Sequence, residues 1–308
     1  MLRNALAAAF AAWLIAAAAP AQPASPADGA SGSTTVAPVV VQGRSPQAQK
    51  AFDEAVKGFL HDMGRPGPIG QISRWAEPVC PIVAGLTPAM DRFVDDRIRE
   101  VATRVGAPGP ADCGKGGNVM VIFTTQPGQL MTDIREHHEG MLGYHFVGET
   151  RSLAAFQPPM KSWYVTATRT PAAGTMMIDA AYAPGPPGGS GSRIPLEYRS
   201  EFAFATIVAD ANRLEGQQIG AVADRIAMLV LSRPAPREGC SALPSILDFL
   251  DPACPSGVSR EGLTAYDEAY LQALYAYRGS ELRSVQRRAM ASTVASRTGA
   301  ALPAPARP

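Results

Sequence analysis

Three histidines that lie close together are the residues of this 308-residue sequence best suited to metal chemistry. His137 and His138 precede Glu139, and His145 follows seven residues after His138. Imidazole and carboxylate groups bind zinc, so a metal-dependent hydrolase is one hypothesis. The H-E-x-x-H pattern is incomplete because Leu142 stands where the second imidazole is needed. Adjacent helical residues point about 100° apart. A surface helix end is therefore the preferred interpretation, and a pH-sensitive contact is the third.

Motifs for other common chemistries are missing from the sequence. It contains no G-x-S-x-G elbow or Walker A loop, and its glycine-rich segment 114–117 precedes a predicted strand instead of opening a helix. The motifs therefore predict no cofactor, although a Ser, a His and an Asp from distant positions can converge in space. Six aromatic residues at helix or strand spacing favour a core over the lining of a binding cleft. They are Trp75, Trp163, Tyr164, Tyr266, Tyr270 and Tyr275.

Helices and strands alternate through the middle of the chain. Thr87 and Pro88 open a helix with an N-cap and a first-turn proline. An apolar run at 118–124 predicts a buried strand. Further segments are strands 163–168 and 202–209, a Pro/Gly-rich loop 184–189 between them, and a helix 217–231. These elements predict a mixed α/β (α+β) fold in which a single sheet packs against helices.

The segment from the last predicted strand to residue 275 carries a family resemblance. Its helix contains Ala223-Asp224-Arg225-Ile226-Ala227, its turn is Ser245-Ile246-Leu247, and its closing helix has Leu263-Thr264-Ala265-Tyr266-Asp267, then Leu271, Leu274 and Tyr275. In order and spacing it resembles the matrixin-like zinc peptidases (zincins). These place an edge strand before an active helix H-E-x-x-H-x-x-x-x-x-H, a Ser-Ile-Met turn and a closing Leu-Ser/Thr-x-x-Asp helix. The resemblance implies a zincin-like carboxy-terminal half.

The same resemblance implies a degenerate metal site. Ala223, Ala227 and Arg233 stand where the family has its three histidine ligands, and Asp224 stands at the general-base glutamate. Methyl groups and a guanidinium do not bind zinc, and without the metal no water is activated there. The resemblance therefore implies a scaffold that does not hydrolyse peptides by that mechanism.

The amino terminus and the cysteines predict export. Residues 1–21 have a positive start, an apolar run and an Ala19-Pro20-Ala21 cleavage site, as in a signal peptide. The run is shorter than the ~20 residues of a membrane-spanning helix. An even number of cysteines in an oxidising compartment predicts two disulfides. Of three possible pairings, loop closure favours Cys80–Cys113 and Cys240–Cys254. The motif Trp75-x-x-Pro78-Val79-Cys80-Pro81 resembles uncharacterised secreted proteins of Gram-negative bacteria and implies no activity.

Composition divides the chain into a domain and two flanking segments. Residues 22–46 and 298–308 are rich in small residues and proline, which predicts a flexible lead and a flexible tail around one globular domain at 47–297. Lys+Arg and Asp+Glu number 28 and 27, so no general attraction to nucleic acid or to an anionic membrane is expected. The basic cluster 278–288 is interpreted as a solvated helix face.

These observations favour a periplasmic or extracellular, non-catalytic protein with an unidentified protein or peptide partner. On this hypothesis the old substrate cleft holds an extended peptide by strand addition beside residues 202–209. No membrane association is expected after signal cleavage. The alternative is an envelope hydrolase or metal-dependent enzyme with a site outside the degenerate helix, at His137, His138 and His145.

Overall fold

Six α-helices and five strands make up the described part of the chain. The computed structural model describes residues 45–109, 113, 116–142, 156, 158–169, 176–178, 198–236, 239–254 and 262–299, with the backbone alone at 176–178. The helices are α1 (Pro46–Met63), α2 (Pro88–Val105), α3 (Pro127–His137), α4 (Ile219–Leu231), α5 (Ala265–Ala276) and α6 (Arg283–Thr298). The strands are β1 (Pro81–Ala84), β2 (Val119–Thr124), β3 (Met160–Arg169), β4 (Met176–Ile178) and β5 (Arg199–Asp210). The predicted signal peptide, the predicted loop 184–189 and His145 lie outside the described residues.

The five strands form one mixed sheet in the order β1-β2-β5-β3-β4. Strands β1, β2 and β5 run parallel, whereas β3 is antiparallel to both β5 and β4. The parallel pairs need crossover connections, and the segments containing α2 and α3 provide them. The expected mixed α/β class with a single sheet against helices is confirmed.

The two faces of the sheet are covered by different helices. Alternate residues of β2, Val119, Val121 and Phe123, join the main core, which also contains buried residues of α1, α2, α4, α5 and α6. The opposite face carries Val208 and Trp163, which pack on α3 in a smaller cluster. Because side chains alternate along a strand, β2 and β5 contribute to both layers. This explains the almost unbroken apolar sequence of β2.

Helix α2 begins as its sequence predicts. The Thr87 side chain accepts a hydrogen bond from the Met90 backbone N–H, and Pro88 occupies the first turn. The turn before α2 passes so close to β2 that only glycine fits. Gly85 has a φ of +109°, and a Cβ at this position would lie 1.9 Å from the Phe123 carbonyl oxygen. The absence of a side chain therefore allows β1 to turn directly into α2.

The position of β5 within the sheet contradicts one expectation. Strand β5 pairs with β2 through residues 205–210 and with β3 along its whole length. The resemblance implied an edge strand before α4, with room for a peptide beside residues 202–209. Both sides of β5 are instead occupied for most of that range. The prediction that a peptide adds beside residues 202–209 is therefore wrong, because the backbone groups of β5 already bond to neighbouring strands.

The outer ends of α1 and α6 each extend one residue beyond the expected globular domain. Helix α1 begins at Pro46 after the Ser45 cap, so it includes the last residue of the expected lead. Helix α6 extends to Thr298, whose side chain is buried, and so includes the first residue of the expected tail. Strands β1 and β4 were not predicted. Strand β1 is only 4 residues long and β4 only 3, so each carries too little pattern to recognise.

Both expected disulfides are present. Cys80 bonds to Cys113 and Cys240 bonds to Cys254. The first bridge lies at the start of β1, and the second closes the segment before α5. Such bridges persist in oxidising compartments, which assigns the chain to an extracellular or periplasmic environment. Among the described helices, none combines the length and the hydropathy required to cross a bilayer.

Candidate functional site

The three positions that the zincin resemblance assigns to zinc ligands carry side chains that do not bind metal. Ala223 and Ala227 lie on α4 and are fully buried in the main core. Arg233 lies beyond the helix, which ends at Leu231. Its carbonyl accepts a hydrogen bond from the Arg65 N–H at 2.8 Å, and its guanidinium lies 5.9 Å from the centre of the Tyr164 ring. None of these three side chains supplies a zinc ligand. The residues present therefore do not fit a metal of the zincin kind.

Asp224 is bound in a buried ion pair. Its side chain is 1% exposed. Arg97 donates to it through two parallel hydrogen bonds, Nε to Oδ1 at 2.6 Å and Nη2 to Oδ2 at 3.0 Å. The backbone N–H of Leu263 donates a third, at 3.1 Å. These bonds raise the pKa of Arg97, with Asp224 as the main cause. A buried carboxylate whose two oxygens accept three hydrogen bonds from the protein is structural.

A glycine makes the third of these bonds possible. Gly262 precedes Leu263 and has a φ of +153°, a conformation that residues with a Cβ rarely adopt. A Cβ built at Gly262 would lie 2.3 Å from Oδ2 of Asp224. The chain thus approaches the carboxylate closely enough for the Leu263 N–H to reach it.

The ion pair continues as a chain of charges across the surface of three helices. Arg97 also donates to Glu100 at 2.8 Å, and Glu100 accepts from Arg104 at 3.2 Å. Arg104 in turn lies 3.0 Å from Glu268 of α5. The other four groups are all more exposed than Asp224, so the network's contribution to stability is concentrated in the pair of Arg97 and Asp224.

A second buried carboxylate joins the turn to the closing helix. Asp267 accepts hydrogen bonds from the Ser245 hydroxyl at 2.7 Å and from the Ile246 N–H at 2.8 Å. It also forms a capping box with Thr264 at the start of α5. Burial raises the pKa of Asp267 to about 6, although the hydrogen bonds act in the opposite direction. From the other side, Arg225 of α4 donates to the carbonyl oxygens of Ile246 and Leu247. The turn is therefore fixed between α4 and α5.

Aromatic side chains cap the carboxyl end of α4. A helix leaves its last four carbonyl groups without intrahelical partners. Here the Leu229 carbonyl accepts from the Tyr164 hydroxyl at 2.7 Å, and the Val230 carbonyl accepts from Trp75 Nε1 at 2.8 Å. The Leu231 carbonyl accepts from the Tyr275 hydroxyl at 2.9 Å.

The aromatic residues considered as a possible cleft lining are core residues. Tyr270 is fully buried and donates to the Met63 carbonyl at 2.9 Å. Trp163 donates to the Met141 carbonyl at 2.8 Å in the smaller cluster, and Tyr266 is buried in the main core. The preferred interpretation of these side chains as core is confirmed.

The histidines form no metal cluster in the described part of the chain. His137 ends α3, is exposed, and lies 3.1 Å from Asp133, one turn earlier. His138 is the C-cap of α3, and Glu139 begins the 3₁₀ turn that follows. No group of three His, Cys, Asp or Glu side chains among the described residues is placed to hold a metal. Because His145 lies outside these residues, the complete three-histidine hypothesis stays a prediction.

Two arginines of this region were not identified from the sequence. Arg97 lies three residues after the buried Val94 on α2, and Arg225 follows Asp224 on α4. A signal for Arg97 was present, because an aspartate in a mostly apolar helix needs a cationic partner when buried. The sequence did not show which arginine supplies it. Comparison with protein-family models, with curated proteins and with solved structures finds no match to this chain.

Proposed function

We propose that the chain is a non-catalytic binding protein of the periplasm or the extracellular space, exported by the signal peptide at residues 1–21. One observation carries the proposal. Asp224, the residue in the general-base position of the resembled family, has both oxygens bound to Arg97 and to the Leu263 N–H. Its neighbours Ala223 and Ala227 are packed in the core. The position that the resemblance assigns to a catalytic centre is thus occupied by structural contacts, and these favour a role in binding over hydrolysis.

The proposed partner is an extended peptide or a segment of an envelope protein. Because β5 lies inside the sheet, we place strand addition at β1. Strand β1 is terminal in the strand order, so one of its sides has no strand neighbour among the described residues. It begins with Pro81, and its Ile82 side chain is 47% exposed. An edge strand offers unpaired backbone groups to a peptide, and an exposed apolar side chain adds affinity.

A peptide-binding measurement tests this proposal. The mature protein is screened against a library of extended peptides, and the best ligand is measured by calorimetry. We expect Ile82→Lys to weaken binding at least tenfold, whereas Val285→Lys, at another exposed apolar side chain, leaves it unchanged. If no peptide binds the mature protein, or if both variants bind as the native protein does, strand addition at β1 is wrong.

The metal-dependent alternative needs its own measurement. The metal content of the mature protein, purified without a chelator or a histidine-rich tag, distinguishes the two functions. Near-stoichiometric zinc that is lost in the His137→Ala/His138→Ala variant would favour the alternative and contradict the non-catalytic proposal. Metal-free protein that still binds its peptide would support the proposal.

A further inference from the structure

Four arginines gather at the end of the sheet where β3 finishes and β5 begins. Arg169 and Arg199 are directly opposite each other in the β3–β5 pairing, so their side chains share one face. Arg74 forms a parallel bridge with Glu201, two residues after Arg199, and therefore lies on the same face. Arg278 follows α5 and approaches the group through its neighbour Tyr277.

The side chain of Gln71 holds the three converging segments together. Gln71 is buried, and its Nε2 donates to the carbonyl oxygens of Tyr198 at 2.8 Å and of Ser280. Its Oε1 accepts from the Ser200 N–H at 3.1 Å. These bonds fix the backbone on both sides of Arg199 and two residues after Arg278. The backbone segments that carry Arg199 and Arg278 are thus held next to each other.

The carboxylates that the structure describes in this region already accept hydrogen bonds. Both oxygens of Glu201 accept from Nε of Arg169, at 2.9 and 2.8 Å. Arg169 also donates to Glu77 at 2.6 Å. Glu281 accepts a hydrogen bond from the Tyr277 hydroxyl. Arg169 therefore binds both Glu201 and Glu77.

Arg74 is the guanidinium that this arrangement leaves uncompensated. It is half-buried, and its charge lies 5.9 Å from the centre of the Tyr277 ring. No carboxylate of the described residues lies within ion-pair distance of Arg74 or of Arg278. Burial lowers the pKa of Arg74, and the positive charges of Arg199 and Arg278 lower it further, whereas Tyr275 and Glu201 act in the opposite direction. A partly buried positive charge beside other positive charges is costly without an anion.

We infer that Arg74, Arg199 and Arg278 form a binding site for a phosphate group, either free phosphate or the terminal phosphate of a larger molecule. Guanidinium groups bind phosphate oxygens through paired hydrogen bonds. A tetrahedral dianion compensates both Arg74 and Arg278 and presents oxygens in several directions, which a planar monocarboxylate does not. The site lies apart from Asp224 and from the outer edge of β1, so it is independent of the proposed peptide binding.

Calorimetric titration of the mature protein with inorganic phosphate tests the inference. The titration is made at constant ionic strength, with sodium chloride as the reference salt. We expect saturable binding of phosphate, at least tenfold weaker in Arg74→Met, which keeps the apolar stem beneath Tyr277. Arg278→Met changes an exposed residue, so it should weaken binding without disturbing the fold. The control Arg92→Met removes an exposed arginine of α2 and should bind phosphate like the native protein.

Two results would overturn the inference. Phosphate that binds no better than chloride at equal ionic strength would show that the arginines form no anion site. Equal weakening in Arg92→Met and Arg278→Met would show that only net charge matters. A parallel titration with phenyl phosphate identifies the source of the group. Tighter binding of the ester than of phosphate indicates a terminal phosphate, and weaker binding indicates the free ion.

Discussion

Replacement of Asp224 by alanine tests whether this residue is structural, as its contacts indicate. The substitution leaves the Arg97 guanidinium beside α4 without its buried partner, and it removes the acceptor of the Leu263 N–H. Breaking a buried ion pair from one side costs about 3–5 kcal/mol. In a domain of this size such a loss lowers the melting temperature by about 6 to 20 °C. Urea unfolding followed by circular dichroism measures the loss directly.

A double substitution separates the destabilising effect of an unpaired charge from that of lost side-chain packing. Arg97→Met combined with Asp224→Ala removes both charges and leaves no unpaired charge in the core, and only the Leu263 N–H still lacks its acceptor. Because replacing both members of a buried pair by apolar groups is often close to neutral, we expect the double variant to be more stable than Asp224→Ala alone. The exposed pair of Lys57 and Glu54 is the control. Loss of that pair through Glu54→Ala should leave the urea midpoint unchanged.

The reasoning fails on either of two results. One is an Asp224→Ala variant within about 1 kcal/mol of the native protein, which is the cost typical of an exposed pair. The other is a double variant as unstable as the sum of its single changes, which would mean that Arg97 and Asp224 do not act as a unit.

Three further predictions concern contacts of helices α4 and α5. Gly262→Ala forces a Cβ against Asp224 at a positive φ, and we expect a loss of about 2–4 kcal/mol in unfolding free energy by urea titration. Burial raises the pKa of Asp267 to about 6, so the folded state binds this proton more tightly than the unfolded state does. Its contribution to stability is therefore full below about pH 4 and falls by about 3 kcal/mol as the pH rises to 7. Asp267→Asn should lose this slope, and parallel stability profiles of the two proteins would contradict the assignment. Tyr275→Phe leaves the Leu231 carbonyl without its donor in the core, which should cost about 1–3 kcal/mol in thermal or urea unfolding. An unchanged midpoint would show that the carbonyl finds another partner.

Local chemistry made part of the fold predictable. Helix α2 was predictable from residues close together in the sequence: the Thr87 cap, the proline after it and apolar residues at helical spacing. The structure has that helix. The apolar run of β2 likewise identified a strand covered on both faces. The order of strands was beyond such reasoning. Strand β5 owes its interior position to pairing with β2, which is far away in the sequence.

In the candidate site, too, residue types could be read from the sequence, whereas contacts between distant residues could not. The alanines at 223 and 227 already excluded zinc ligation from the sequence. The ion pair of Asp224 could not be predicted, because its partner Arg97 precedes it by 127 residues. The hydrogen bonds of Gln71 and the proximity of Arg74, Arg199 and Arg278 likewise depend on contacts between segments that are remote in the sequence. Contacts of this kind leave no periodic pattern in the sequence.

The aromatic caps of α4 have a consequence at alkaline pH. Burial raises the pKa of Tyr164 to about 12, and the pKa of Tyr275 is raised further for the same reason. Each hydroxyl donates its proton to a carbonyl at the end of the helix, so neither phenol can ionise while that bond exists. Ionisation of these tyrosines and release of the helix end are thus one event. Of the eight tyrosines, these two should therefore contribute tyrosinate absorbance in the ultraviolet only as the helix end is released in alkaline unfolding.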